Sequence, residues 1–444
     1  MIEIGGWGRY PLHRTHLLSP RDPQALPPLL DNQTGWIARG SGRAYGDAAI
    51  GQALTVSTAG LSCMRHFDPA SGRLMVESGV LLADILKAFL PRGFFPPVVP
   101  GTKFVTIGGM IASDVHGKNH HRDGGFGRYV TALTLLPPGG SPVVCTPAEN
   151  AELFNATIGG MGLTGTILDA TFSLRPIETG WMRQRTIAAN DIDAALAALQ
   201  QTADASYSVA WIDCAARGSK LGRSLIFAAE HATKADLEAV HPRSSRFPPV
   251  KTQHLAVPMN LPGFVLSRTT VAGFNELYFR AGAAKAGEPT LVDWDTYFFP
   301  LDAIRDWGRI YGKRGFLQHQ CVIPPNRAKD VLAEIIARLA RRGRASFLAV
   351  LKQLSKGNGL ISFPMEGYTL ALDLHVTDDV FALLDEIDQA VVQAGGRLYL
   401  AKDARQSRDT FEQGYPELDR FRAIRRAIGA EGIVASQLSA RLGI

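Results

Sequence analysis

Three glycine-bearing stretches between residues 38 and 167 constrain this chain most: ARGSGRAYGD (38–47), PGTKFVTIGGMIASDVHGKNHH (100–121) and IGGMGLTGTI (158–167). Glycine allows positive φ and close backbone approach, and successive exposed N–H groups make a nest for an anion such as a pyrophosphate. Short apolar runs separate the three stretches: ALTVSTAG, RLMVESG, VTALTLLPPGG and TGTILDATFSLRP. Punctuated by Gly and Pro, they read as strands and turns. Only LLADILKAFLPRG (81–93) shows the i, i+3, i+4 spacing of a helix, ending at a glycine. The first part of the chain, to about Pro176, is therefore a mixed α+β unit. It is not a Rossmann unit, because no strand–helix–strand frame surrounds the first stretch. Three such loops in one domain suit a long, extended ligand with phosphates at its middle.

The chain has 444 residues, more than one hydrophobic core usually supports, so two domains are expected. No window holds the roughly 18 uninterrupted apolar residues of a membrane span. The N-terminal MIEIGGWGRYPLHRTHLLSP has no apolar core of a secretory signal, and the expected location is the cytoplasm. Cys63, Cys145, Cys214 and Cys321 lie far apart with no CxxC pair and read as reduced thiols. The net charge is +6, and the richest basic runs are ARLARRGRA (337–345) and RFRAIRRAIG (420–429), whose apolar residues recur at helical spacing. Those are solvated helix faces, and no nucleic-acid-binding pattern accompanies them.

After Pro176 the composition changes. DIDAALAALQQ reads as a helix, and YSVAWIDCAA and SLIFAAEHA read as strands. The polar, proline-rich stretch 231–263 reads as a mobile loop. GFLQHQCVIP, AEIIARLARRG, SFLAVLKQL, YTLALDLHV and DVFALLDEIDQAVVQAGG then alternate strand and helix, as in an antiparallel sheet covered by helices.

The stretch SDVHGKNHHRDGGFG (113–127) packs His116, His120 and His121 beside Lys118 and Asn119. The i, i+4 spacing of two histidines suits a metal, but the turn formers around them argue against a helix that would align the rings, and no metal is expected. Gln318 and Gln320 alternate in FLQHQCV, so they share one strand face and His319 takes the other. Two amides on one face suit sugar hydroxyls. The aromatic run at 297–299 reads as core.

Together RGSGRAYGD, the HGKNHH stretch and GGMGLTGTI resemble the vanillyl-alcohol-oxidase, or PCMH-type, FAD-binding family. Further similarity in FNELYFR, YGKRGFLQHQCVIP, LISFPMEGYTLALDL and RLYLAKDAR extends this to its polyprenylphosphoryl-ribose oxidase branch. The resemblance implies a two-domain α+β flavoprotein: residues 1–178 bind FAD, 179–395 bind substrate through an antiparallel sheet flanked by helices, and 396–444 return to the FAD-binding domain. It implies FAD contacts from Arg39, Gly40, Ser41, Gly42, Arg43, Ala44, Tyr45, Gly46 and Asp47 in the first loop. Gly101, Thr102, Thr106, Gly108, Gly109, Ser113, Val115, His116, Gly117 and Asn119 follow in the second. Gly162, Ile167 and Tyr399 complete the set.

Lys118, Gln318, Gln320, Lys352 and Lys402 are implied to face the substrate, and Lys402, Tyr45 and His116 are the catalytic candidates, with the proton handled by Lys402 or Tyr45. The expected reaction oxidises the 2'-hydroxyl of a polyprenyl-phosphate-linked ribose to a ketone, and a separate short-chain NAD(P)H-dependent ketoreductase completes epimerisation to arabinose. Peripheral contact with a membrane surface is expected from the lipid. A soluble sugar or alditol oxidase using oxygen is the alternative. Many relatives link FAD covalently through a histidine where this chain has Arg43–Ala44–Tyr45, so the flavin is expected to be non-covalent. A cysteine of relatives falls at Ala371, so inhibitors that bond to that thiol should not do so here.

Overall fold

The computed structural model describes residues 1–253 and 255–444, with the side chain of Phe264 outside the description. The N-terminal part carries two sheets. One is four-stranded, with Trp36–Arg39 and Leu12–Leu18 both parallel to Leu54–Ser57. The other is five-stranded and antiparallel, in the order Met64–Asp68, Arg73–Glu77, Thr166–Ser173, Val130–Leu136, Val143–Cys145. The apolar runs of the sequence become these strands because each turns alternate residues into a core that includes Leu74, Val76, Leu133, Leu135, Ala170 and Phe172. The helix expected near 81–93 spans Leu82–Phe89, followed by a 3-10 turn that Gly93 ends at φ 79°.

Several short helices escaped the sequence pattern, Leu26–Leu30 and Ala151–Thr157 among them. Ile107–Ala112 forms although IGGMIA holds two glycines, because Thr106 caps it by accepting from Gly109 N. His120–Asp123 forms a single turn.

The C-terminal part is built on an eight-stranded sheet. Its order is Thr290–Asp293, Trp181–Ala189, Ser224–His231, Tyr207–Ile212, Ala349–Leu354, Gly367–His375, Phe316–Ile323, Arg397–Leu398. Every pairing in it is antiparallel. Helices Ile192–Gln201, Pro325–Arg342 and Asp378–Gln393 cover one face, burying Leu332, Ile335, Leu339, Leu383 and Ile387 against Leu317, Cys321, Leu351 and Leu370. The other face carries Gln318, Gln320 and Lys352 toward the glycine loops.

The stretch 231–263, read as a loop throughout, contains a helix, Lys234–Val240. Thr233 and Asp236 form a reciprocal capping box there, enough to start a helix inside a polar stretch. His254, within the same stretch, lies outside the described residues.

Candidate active site

A cavity of about 590 Å³ runs between the glycine loops and the open face of the eight-stranded sheet. All three loops reach it, through Gly40–Tyr45, Gly101–Thr102 with Thr106–Lys118, and Met161–Gly162 with Ile167. The loops depend on glycine for packing. A Cβ on Gly40 would stand 2.0 Å from Thr106 Oγ1, so the first and second loops touch there; Gly42, at φ 66°, abuts the Arg39 guanidinium. Among the described residues no acceptor takes the backbone N–H of Gly42, Arg43 or Ala44. The Arg43 guanidinium lies 3.9 Å from the Trp7 ring centroid and lines the cavity without an ion-pair partner among the described residues.

The first loop is tied to the turn that holds Lys402. Tyr45 N donates to Ala401 O at 2.9 Å, and Lys402 Nζ sits 3.9 Å from the Tyr45 ring centroid. The facing sheet supplies a chain of polar groups. Gln318 Nε2 donates to Tyr45 Oη at 3.2 Å and to Asp373 Oδ1 at 2.5 Å, while Gln320 Nε2 lies 2.9 Å from His116 Nε2 and 3.1 Å from Thr369 Oγ1. The register that puts Gln318 opposite Asp373 and Gln320 opposite Ala371 makes this a continuous face. Tyr399 donates its hydroxyl to Ser113 O at 2.9 Å, joining the C-terminal turn to the second loop.

Burial dominates the electrostatics. It lowers Lys118 to about 7, with Lys352 adding repulsion, and lowers Lys352 to about 8. Burial also pulls Lys402 down, Asp373 opposing and Lys352 reinforcing the shift, and it raises Asp373. The Tyr45 phenol is pushed well above its usual range, mainly by burial and then by Asp373. His116 is held well below its usual value by burial and by Lys352. The cavity therefore concentrates three lysines that are readily neutral, a protonated phenol and a neutral imidazole. An anion brought among these lysines favours their charged forms and must draw protons in near pH 8. Calorimetry of a phosphorylated sugar in two buffers of different ionisation heat should report net proton uptake, reduced in Lys118→Met; proton release would contradict the site.

A profile of the family described as FAD binding domain matches residues 29–146. A decaprenylphosphoryl-β-D-ribose oxidase from Mycolicibacterium smegmatis is 35% identical over 99% of this chain and 97% of its own length. The chain belongs to the decaprenylphosphoryl-β-D-ribose oxidase family. More distant similarity, confined to about a third of each chain, reaches a D-lactate dehydrogenase from Anaerostipes hadrus and an L-gulonolactone oxidase from Bos taurus, each 29% identical over the matched part.

FAD is the cofactor of this family's fold, and the residues present fit it. The open N–H groups of the first loop and Arg43 suit its phosphates. Ser78 Oγ and His116 Nδ1, buried on the cavity wall and without a protein partner among the described residues, suit its polar edges.

Most of the expected contacts line the cavity, and four do not. Arg39 turns back to donate to Gly5 O and Ala49 O. Gly46 packs on the Lys402 turn, where a Cβ would meet Asp403 O at 2.0 Å. Asp47 pairs with Arg441, which also holds Asp403. Asn119 donates to Pro97 O and Asp123 Oδ2. These four brace the loops from behind rather than lining the space.

The histidine cluster divides in the same way. His120 Nδ1 accepts from Ser355 N, and His121 Nε2 lies 2.9 Å from Ala205 O, so only His116 lines the cavity. His319 pairs with Asp388 on the helix side, as alternation required. Asp373 and Trp211 line or support the site although the sequence did not single them out. Asp373 was findable as the residue two positions beyond Ala371 on the same strand face. Ala371 itself lines the cavity.

Among the described residues no helix is long and apolar enough to cross a membrane.

Proposed function

We propose that this protein oxidises the 2'-hydroxyl of a polyprenylphosphoryl-β-D-ribose to the 2'-keto sugar; the relative named a decaprenylphosphoryl-β-D-ribose oxidase, matched over nearly its whole length, supports oxidation of the ribose. The observation that carries the reading is the meeting of these groups in one cavity: the glycine loops, Lys402, the two glutamines, Lys118 and Lys352 all line it. A bound FAD would supply the hydride acceptor that oxidation of the sugar carbon requires. Lys402 accepts the hydroxyl proton, since burial favours its neutral amine. Tyr45 stays a protonated phenol and donates a hydrogen bond to the sugar. Its oxygen is already held by Gln318, which Asp373 orients. His116, whose Nε2 faces Gln320, orients rather than transfers protons. Lys118 and Lys352 supply compact positive charge for the phosphate.

FAD is held without a covalent link in this reading, because the first loop offers Arg43–Ala44–Tyr45 and no histidine; acid precipitation should release the flavin to the supernatant. A separate short-chain NAD(P)H-dependent ketoreductase would consume the ketone, and the lipid tail would bring the protein to a membrane surface. Incubation with polyprenylphosphoryl ribose should give a product that borodeuteride labels at C2. Labelling at another carbon, or none, would contradict the reading.

A further inference from the structure

The cavity does not end at the lysines. Across the eight-stranded sheet the register runs Gln320 opposite Ala371, Ala371 opposite Val350, and Val350 opposite Trp211. One row of side chains thus passes from amide to aromatic. In the neighbouring row Lys352 lies opposite Thr369, and Val209, two residues before Trp211 on the same face, lies opposite Phe227. Val209, Trp211, Phe227 and Val350 all line the cavity. Lys352 marks the border between a polar half and an apolar arm. Lys118 stands at the same border, because its carbonyl accepts from Ser208 N on the strand that carries Val209 and Trp211.

The arm continues outward along helix Arg268–Ala283. Tyr278 lines the cavity and meets Trp211 at a centroid distance of 4.8 Å. Phe274 stacks on Tyr278 at 5.9 Å and touches Phe347 at 4.8 Å. Phe274, Leu277 and Tyr278 fall on one helix face at i, i+3 and i+4. Their exposures are 43%, 71% and 39%, whereas Val271 one turn earlier is 2% exposed. Single exposed apolar residues are ordinary, but a set continuous with a cavity marks a binding surface.

We infer that Trp211, Tyr278, Phe274 and Leu277 form the track that receives the prenyl chain of the substrate, with its phosphate at Lys118 and Lys352. This rests on the proposed reading of the cavity and adds the path of the lipid. The chain leaves the phosphate over Val209 and Phe227, crosses Trp211 and Tyr278, and reaches the surface at Phe274 and Leu277. A hydrocarbon of that kind matches an arm with no charged side chain among the residues named, and its burial there is favourable in proportion to the apolar area covered.

The test compares kcat/KM for two substrates with the same ribosyl phosphate head, one carrying a long prenyl chain and one a single isoprene unit. It is run on the parent protein and on the double variant Phe274→Ser/Leu277→Ser. The parent should prefer the long chain, and the double variant should cut that preference about tenfold. Should the double variant not fold, Leu277→Lys alone serves, since that side chain is largely in solvent, and it should lower the same ratio. Turnover of both substrates with an unchanged ratio would overturn the track and leave the proposed reaction standing. Flavin reduction by neither substrate in the parent would overturn both.

Discussion

Lys402→Met should lower turnover by about 10²- to 10⁴-fold, the usual worth of a positioned acid–base group, while the flavin content and the fold persist. The fold should persist because the Lys402 amine, favoured neutral by burial, lies over the Tyr45 ring without an ion pair to a carboxylate among the described residues, and Asp373, itself pushed up by burial, keeps its hydrogen bond from Gln318. Lys402→Arg separates two roles. Arginine keeps a positive charge at every accessible pH and cannot serve as the base, so it should be as impaired as methionine if Lys402 takes the proton. Near-normal turnover in Lys402→Arg would instead assign the residue to charge stabilisation.

The pH profile gives an independent reading. Because the neutral amine is the active form, kcat/KM of the parent should rise with pH through the lowered Lys402 value. The groups that face Lys402 include Asp373, which raises it, Lys352, which lowers it, the Tyr45 ring and the neutral His116 imidazole. Asp373→Asn removes the stabilising carboxylate but keeps an acceptor for Gln318, so the rising limb should move to lower pH.

The largest effect on stability is expected at Asp295. Lys103 Nζ and Asp295 Oδ1 are 2.5 Å apart, with side chains only 2% and 3% exposed. Lys103 belongs to the second glycine loop and Asp295 to helix Trp294–Phe298, so the pair joins the cofactor side to the substrate side. Asp302 reinforces the joint by accepting from Lys103 N at 2.8 Å. Asp295→Ala strands an ammonium among Phe104, Trp294 and Phe299 and should cost about 3–5 kcal/mol. A double variant with Lys103→Met and Asp295→Leu should recover most of that loss, since apolar replacement of a buried pair is often neutral. Thermal or urea unfolding of the three proteins checks this. A double variant no more stable than Asp295→Ala would contradict this and show that apolar packing cannot replace the pair at this joint.

The sequence disclosed what local rules control. Period-two alternation placed Gln318 and Gln320 on the cavity face and His319 on the helix face, where it meets Asp388. The glycine stretches announced the cofactor loops, because close backbone approach needs glycine whatever the surroundings. Pairing between distant segments was not legible. Asp373 becomes important only through its register with Gln318, and the Lys103–Asp295 pair only through the docking of two segments 192 residues apart. Arg39 and Asp47 carry charges suited to a ligand, yet both are consumed by protein partners, Gly5 O and Arg441, that lie far from them along the chain. The helix Lys234–Val240 was hidden because a capping box can nucleate a short helix within a polar, proline-rich stretch. Ile107–Ala112 was hidden by its two glycines; a Cβ on Gly108 would stand 2.8 Å from Ser78 Cβ, and one on Gly109 3.1 Å from Thr106 Oγ1.

The most direct test is the visible spectrum of the purified protein, recorded without oxygen before and after adding polyprenylphosphoryl ribose. The account predicts a flavin band that bleaches on adding the lipid-linked ribose and stays unchanged with free ribose or ribitol. A flavin band that free polyols bleach as readily as the lipid-linked sugar, or no flavin band at all, would contradict it.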